Sequence, residues 1–288
     1  MPDAVLPIEV VQPDSARLPT RVSYSQMSLY EQCPLKFYFN HIAGWKEPQT
    51  AQLTGGNVAH DIVERLYRLA PEERTLERAR ELLRDFGPRM LRRPEYVAFE
   101  NDNAMKQSVL EAVQNLFEVE DPPSVTVQPE HIEMELDTEI NGVHFFGRVD
   151  RFTIDGANRV TDYKTGKFPG ARFIDDKLRQ VYLYALAFKV QYDIEVDEVE
   201  LIFLNAREVV RRPAEQGRMA AMGEALAAMR EASSHDVGQS TWAARPQRLC
   251  DYCSYQQACP ARNAAAPTPG TAECGTILLG NGLLKRGA

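Results

Sequence analysis

The fold is decided by residues 147–167, GRVDRFTIDGANRVTDYKTGK, where two short apolar runs flank a turn. The Asp-Gly dipeptide between the runs is a hairpin signal, so we expect two adjacent antiparallel strands. Asp150 ends the first strand and Asp162 lies in the second, which can bring the two carboxylates together. Asp162 and Lys164, two residues apart on one strand, project to the same face. Three charges meeting at one sheet end predict a bound metal ion, because burying them without one is unfavourable.

Two acids and a lysine are groups that can support hydrolysis of a phosphodiester. Carboxylates hold divalent metals, which make a water nucleophilic and neutralise charge on the phosphate. A lysine beside the metal can orient that water and stabilise the developing charge. The acid-x-lysine pattern is weak alone, since a second copy at Asp175 to Lys177 has the character of a solvated helix start. Ordinary charges at strand ends are therefore the alternative interpretation.

Composition restricts the class of protein. Hydrophobic residues make up 44% of the 288 residues and charged residues 26%, which is typical of a soluble globular chain. The net charge of −8 argues against a generic nucleic-acid binder with a broad basic surface, but not against an enzyme whose acids hold metal ions. We expect a cytoplasmic protein with no membrane partner, since the chain has neither a secretory signal nor an apolar run of about 18–20 residues.

The apolar pattern changes along the chain from helical to strand-like and back. Residues 1–20 are rich in proline and predict a flexible tail, residues 21–263 predict one domain, and residues 264–288 predict a second flexible tail. Within the domain we expect helices, then a three-stranded meander from about residue 132, then a helix, a strand and a further helix. The helices are expected near 55–70, 75–86, 103–119, 173–192 and 214–232. This order favours an α/β core with a helical region on one side.

The cysteines indicate a metal or cluster site. The chain has five of them, and an odd number in a cytoplasmic protein does not form a disulfide framework. Cys250, Cys253 and Cys259 form a compact trio, and spacing alone leaves either Cys33 or Cys274 as the fourth ligand. Zinc sites more often consist of two Cys-x2-Cys pairs, so a one-plus-three arrangement favours an iron–sulfur cluster over zinc.

Taken in order, these motifs resemble the RecB-like branch of the PD-(D/E)XK nuclease superfamily, over about residues 23–262. The matching pieces are GGNVAHDIVERL, GRVDRF, VTDYKTG and LRQVYLYALAF. The resemblance implies a restriction-endonuclease-like mixed β-sheet flanked by helices, with an N-terminal helical region and a C-terminal iron–sulfur segment. The superfamily often has glutamate where this chain has Asp162, a variation common in the RecB-like branch.

The resemblance also implies roles for individual residues. Mg²⁺ or Mn²⁺ would be held by His60, Asp150, Asp162 and the carbonyl of Tyr163. Lys164 would assist the water, and Gln180 and Tyr184 would position DNA or support the lysine. A 4Fe-4S cluster, as in AddB-type and CRISPR-adaptation nucleases, would take as ligands Cys33, Cys250, Cys253 and Cys259. Glu133 and Glu135 precede Asp150 on an alternating strand, and we leave them out of this set as ordinary exposed acids.

The function implied is a metal-dependent DNA exonuclease in DNA recombination, repair or processing. Many RecB-like nucleases degrade from ends, so the expected partner is DNA with single-stranded ends. Two alternatives stay open. One is a non-catalytic DNA-binding or assembly subunit with a structural metal cluster, as some relatives have lost their acids. The other is a zinc-stabilised interaction protein.

Overall fold

The computed structural model describes residues 5–14 and 16–286. Packing divides the chain into two compact units. The first comprises Met1–Pro48, Glu139–Phe145 and Glu224–Ala288, and the second comprises Gln49–Thr138 and Phe146–Gly223. None of the helices in the described residues is both long and apolar enough to cross a membrane.

A five-stranded mixed sheet carries the acids and the lysine singled out above. Its strands are β3 (Ile132–Ile140), β4 (Val143–Ile154), β5 (Asn158–Lys164), β6 (Glu198–Phe203) and β7 (Glu208–Pro213), and they lie in that order across the sheet. β4 pairs antiparallel with β5, β5 pairs parallel with β6, and β6 pairs antiparallel with β7. A parallel pair needs a crossover connection, which α6 (Ile174–Tyr192) supplies between β5 and β6.

Three helices of the second unit precede the sheet in the chain. They are α3 (Ala51–Tyr67), α4 (Leu76–Leu91) and α5 (Asn103–Val119). Each begins at a side chain that caps its first turn: Thr50, Thr75 and Asp102 accept from backbone N–H groups three residues on. Their apolar faces share one buried cluster with Tyr163 of β5 and Ile202 of β6. This packing fixes α3 against the sheet within the second unit.

The first unit is built around aromatic side chains. It contains α1 (Tyr24–Gln32), α2 (Pro34–Phe37), β2 (Trp45–Lys46), β8 (Thr241–Ala244), α8 (Ala272–Gly280) and β9 (Leu284–Lys285), together with β1 (Leu6–Glu9) and most of α7 (Gln216–Gln239). Trp242 is fully buried and contacts the rings of Tyr30, Phe37 and Tyr38. β1 pairs with β8, and β2 pairs with β9, both antiparallel.

The fold class is confirmed, as a mixed five-stranded sheet flanked by helices. Several elements had no counterpart in the sequence prediction. β7 was not predicted, and the predicted helices at 75–86 and 214–232 extend further, to Leu91 and Gln239. The described residues of the two predicted tails contain β1, α8 and β9; residues 1–4, 15, 287 and 288 lie outside the described residues. The domain boundaries and the flexibility of the tails stay predictions.

Candidate active site

A cavity of about 520 Å³ in the second unit holds the acids and the lysine of the opening motif. Arg151 pairs with Thr161 in the β4–β5 register, so Asp150 and Asp162 are the next residues along the two strands. The hairpin therefore brings these two acids opposite each other, as the sequence predicted, but Asp150 does not end its strand, because β4 continues to Ile154. Lys164 and Gln180 line the same cavity.

His60 reaches this cavity from α3. Its Nδ1 atom lies 3.3 Å from Oδ2 of Asp150, and the same oxygen accepts a 2.7 Å hydrogen bond from the backbone N–H of Tyr163. Burial alone would lower the pKa of His60, but the charges of Asp150 and Asp162 outweigh it and raise the pKa to about 9. Burial opposes ionisation of Asp150, yet the charge of His60 holds the pKa of that carboxyl below its usual value.

A chain of polar contacts runs from Asp162 to α6. Lys164 Nζ lies 2.7 Å from Asp162 Oδ2 and donates a 2.9 Å hydrogen bond to Oε1 of Gln180. The amide nitrogen of Gln180 in turn donates to the hydroxyl of Tyr184 at 2.8 Å. Gln180 and Tyr184 are one helical turn apart, so α6 presents both on one face. The structure thus brings together all the residues that the sequence singled out in this unit.

Glu133 is a member of this site that the sequence analysis set aside. One ligand atom from each of His60, Glu133 and Asp150 lies within 4.8 Å of the other two. Within the described residues this is the one group of three histidine, cysteine or acidic side chains with such spacing. Burial, followed by the charges of Asp150 and Glu64, raises the pKa of Glu133 to about 7. The backbone of Glu133 is left-handed, with φ of 55°, and no sequence pattern signals that conformation.

The donor set fits a divalent cation. Asp162 is 3% exposed, and its Oδ2 lies beside the Lys164 ammonium without hydrogen-bonding geometry to any described residue. Burial raises the pKa of Asp162, although the charge of Lys164 acts in the opposite direction. Several carboxylates within one cavity repel one another, and a bound cation removes that repulsion. Oxygen donors with one imidazole suit Mg²⁺ or Mn²⁺.

A buried network behind the cavity holds Tyr163 in place. Arg151, 1% exposed, donates two 2.7 Å hydrogen bonds to the carboxylate of Glu120 and one of 2.5 Å to the Tyr163 hydroxyl. Its guanidinium also lies over the rings of Tyr67 and Tyr163, 4.7 and 5.4 Å from their centroids. The contacts of the Tyr163 side chain with Arg151 therefore help to fix the Tyr163 backbone, whose N–H donates a hydrogen bond to Asp150.

Four cysteines of the first unit line a second, separate cavity: Cys33, Cys250, Cys253 and Cys259. Burial raises the pKa of the Cys253 thiol, and it raises that of Cys259 to about 11; the nearby Cys33 thiol adds to both shifts. Cys274 is buried in α8 and is not among the residues that line this cavity. The lining of this cavity therefore favours Cys33 over Cys274 as the fourth candidate ligand, a choice that spacing along the chain could not make.

Comparison with known proteins identifies the family. Residues 21–260 match the model of the PD-(D/E)XK nuclease superfamily. The chain belongs to that superfamily. Members of it use Mg²⁺ or Mn²⁺, in agreement with the donor set around Asp150, and membership implies that the chain is a nuclease that binds DNA.

Two phage proteins are similar to this member of the superfamily. The gene 69 protein of Mycobacterium phage D29 is 28% identical over 211 residues, covering 65% of this chain and 76% of the phage protein. The gene 69 protein of Mycobacterium phage L5 is 32% identical over 81 residues, covering 28% of this chain and 26% of its own. Their names state no activity, so they show a relationship and carry no argument about function.

Proposed function

We propose that this protein is a metal-dependent deoxyribonuclease of the RecB-like kind that degrades single-stranded DNA from its ends. The observation that carries the proposal is a pair of contact sets in one cavity, His60 with Asp150 and Asp162 with Lys164 and Gln180. These side chains can hold a divalent metal and orient a metal-bound water for phosphodiester hydrolysis. Recombination, repair or processing of DNA is the corresponding role, and a cytoplasmic location stays a prediction.

Each residue has a defined part in the reaction. His60, Asp150, Asp162 and the carbonyl of Tyr163 would hold Mg²⁺ or Mn²⁺, which supplies a more acidic bound water and neutralises phosphate charge. Lys164 would orient the water and neutralise charge on the phosphate oxygens. Gln180 accepts a hydrogen bond from the ammonium and so restrains it, and Tyr184 accepts one from the amide of Gln180. The water oxygen bonds to phosphorus as the bond to the leaving sugar oxygen breaks, and one proton passes from the water to that oxygen.

The shape of the second unit supports a single strand as the substrate. The active-site cavity shares Gln52, Gly56, Thr165 and Gly166 with a neighbouring cavity of about 770 Å³. Gly56 lies so close to Thr165 that a Cβ there would be 3.0 Å from its hydroxyl. Lys167 and Phe168 line the second cavity, and a cation with an aromatic ring can hold a phosphate and a stacked base without reading sequence.

The four cysteines of the first unit support a 4Fe-4S cluster rather than zinc. A tetrahedral zinc ion with bonds of about 2.3 Å would draw its sulfur ligands to about 3.8 Å from one another. Among the described residues, which include all five cysteines, no three cysteine sulfurs lie within 4.8 Å of one another. The four thiols that line the one cavity are the donor set that 4Fe-4S clusters use.

The alternative of a non-catalytic DNA-binding or assembly subunit is disfavoured by the same contacts. A chain that had lost catalysis would not be expected to keep both acids, the lysine and its glutamine partner in contact. A zinc-stabilised interaction protein would leave the second unit without a role. Iron content and metal-dependent cleavage separate the three hypotheses.

The experiment that tests the proposal compares linear and covalently closed circular single strands of the same sequence, with Mn²⁺ present. We expect stepwise degradation of the linear strand, loss of binding as salt rises, and no cleavage of the circle. Equal rates on both strands would show an endonuclease. Cleavage of neither, by protein with its metals bound, would favour the non-catalytic alternative.

A further inference from the structure

Arg93 is a basic side chain of the active-site cavity that has no part in the roles assigned so far. It lies in the turn that follows α4, and it lines the cavity together with Asp150 and Lys164. The residue is exposed, so its guanidinium can meet a ligand without leaving a buried position.

The cavity is acidic, and Arg93 differs from its other basic side chains in having no acidic partner. Among the described residues Arg93 makes no ion pair. A DNA strand is an anion that the carboxylates of the cavity repel, so a cation that no carboxylate neutralises is the group to which a phosphate can bind. Each of the other basic side chains has a carboxylate oxygen within 3.3 Å: His60 that of Asp150, Lys164 that of Asp162, and Arg148 that of Glu135.

The backbone of Arg93 is held in place by hydrogen bonds and by a buried tyrosine. Its N–H donates to the carbonyl of Met90 at 2.9 Å, and its carbonyl accepts from the N–H of Tyr96 at 2.9 Å. Tyr96 is 8% exposed, and its hydroxyl accepts a 2.9 Å hydrogen bond from the amide of Asn57 on α3. Asn57 lies three residues before His60, on the same side of the helix. The turn that carries Arg93 is therefore tied to the helix that carries His60.

An ordinary solvated arginine is the alternative interpretation of Arg93. The preceding residue, Arg92, has that character: its guanidinium lies 3.6 Å from the carboxylate of Glu100, its side chain is 71% exposed, and it is not among the residues that line the cavity. Arg93 lines the cavity and pairs with none of the described acids. A guanidinium can donate two parallel hydrogen bonds to one phosphate, which makes arginine well suited to such a contact.

We propose that Arg93 binds a phosphate group of the DNA strand in the active-site cavity. The inference rests on the proposed function, because it assigns a substrate contact to the same cavity. Lys164 belongs to β5 and Arg93 to the turn after α4, so two elements of the second unit each present a cation to the strand. A contact to phosphate reads no base, so Arg93 contributes to the affinity for every sequence alike.

The test is the binding of a labelled single strand, measured by fluorescence anisotropy over a range of salt concentrations. Ca²⁺ replaces Mn²⁺, and gel electrophoresis verifies that the strand stays intact. We expect Arg93→Gln to weaken binding about ten- to a hundredfold, because hydrogen bonds to a charged group are lost. The slope of the logarithm of the binding constant against that of the salt concentration should become less steep by about 0.7, the contribution of one phosphate contact on a single strand.

Two further variants separate a phosphate contact from a structural effect. Arg93→Lys keeps the charge but not the paired donors, so it should keep the wild-type slope and bind more weakly than wild type. Arg92→Gln is the matched control, and it should bind with the wild-type affinity and slope. Wild-type affinity and slope in Arg93→Gln would overturn the inference, and so would an equal loss in Arg92→Gln or a wild type that binds no single strand.

Cleavage measurements with Mn²⁺ keep this inference apart from the proposed function. A wild type that degrades linear single strands, with an Arg93→Gln variant that binds and cleaves them equally well, would be the proposed nuclease without this contact. A wild type that binds the strand through Arg93 and cleaves none of it would have the contact and not the proposed function.

Discussion

Asp162 and Gln180 both hold Lys164, whose side chain lines the active-site cavity. Asp162 contacts it at 2.7 Å on its own strand, and Gln180 accepts from it at 2.9 Å on α6. A lysine side chain is otherwise flexible, so these contacts reduce the conformations from which it can act. Gln180 hydrogen-bonds the lysine, and Tyr184 hydrogen-bonds Gln180. Gln180 and Tyr184 therefore act as positioning residues.

Removing Gln180 should lower the turnover rate. We expect Gln180→Ala to reduce kcat about ten- to a hundredfold with little change in KM, because one hydrogen bond to a charged group is lost at the reacting centre. Tyr184→Phe, which removes only the support of the amide, should have a smaller effect. Steady-state kinetics on a linear single strand measure both. A rise in KM at constant kcat would instead place Gln180 in DNA binding.

His41 in the first unit should make stability depend on pH. Burial, together with the charge of Arg286, lowers the pKa of His41 to about 4, and its ring packs 4.8 Å from that of Phe37. The unfolded chain takes up a proton near pH 6.5 that the folded protein does not, so stability falls as the pH is lowered from about 6.5 to about 4. The loss from this group is at most about 3 kcal/mol.

Urea denaturation at about pH 7 and about pH 4 checks this prediction. Wild type should lose more stability than His41→Gln over that interval, and the exposed control His144→Gln should behave as wild type. The same loss in wild type and His41→Gln would contradict the assignment.

At the level of elements, Arg151 links β4 to β5 and to the chain after α5. It pairs with Glu120, donates to Tyr163, and lies 3.6 Å from the buried carboxylate of Glu200. Arg151→Met should lower the free energy of unfolding by about 3–5 kcal/mol, because it leaves the carboxylate of Glu120 without its paired cation, whereas Glu200 keeps Arg211. Replacing the exposed Arg148 with Met should change stability by less than about 1 kcal/mol. Denaturant midpoints measure both changes. Equal changes in the two variants would show that the ion pairs of Arg151 stabilise the fold no more than those of the exposed Arg148.

The central elements could be predicted from the sequence because local signals specify them. The Asp-Gly turn predicted the β4–β5 hairpin, and helical periodicity predicted α3, α5 and α6. β7 could not be predicted, because Val210 is its one buried residue and its apolar and polar residues do not alternate along the strand. β1 depends on pairing with β8, more than 200 residues away, and local patterns carry no information about such a partner. Glu133 was missed for a similar reason, because a left-handed residue inside a strand has no signature in side-chain type.

At the level of the whole molecule, the two units carry different candidate metal sites. The acids and His60 lie in the second unit, and all five cysteines lie in the first. Each candidate site can therefore be removed by substitutions within one unit.

Removing any cysteine of the first-unit cavity should abolish the proposed cluster. We expect about four irons per chain in anaerobically purified wild type, and loss of iron and visible absorption in the serine variants of Cys33, Cys250, Cys253 and Cys259. Cys274→Ser is the matched control, since Cys274 does not line that cavity, and it should keep its iron. Loss of iron in Cys274→Ser with retention in Cys33→Ser would show that the ligand set is wrong.

The most direct test of the catalytic centre is Mn²⁺-dependent release of nucleotides from a linear single strand, measured for wild type, Asp162→Asn and Asp175→Asn. Asp162 contacts Lys164 in the active-site cavity, whereas Asp175 is an exposed acid that pairs with Arg218 at the start of α6. We expect wild type and Asp175→Asn to cleave at similar rates, and folded Asp162→Asn to be slower by a factor on the order of a hundred or more. Cleavage by Asp162→Asn at the wild-type rate would contradict the assignment of this site as the catalytic centre.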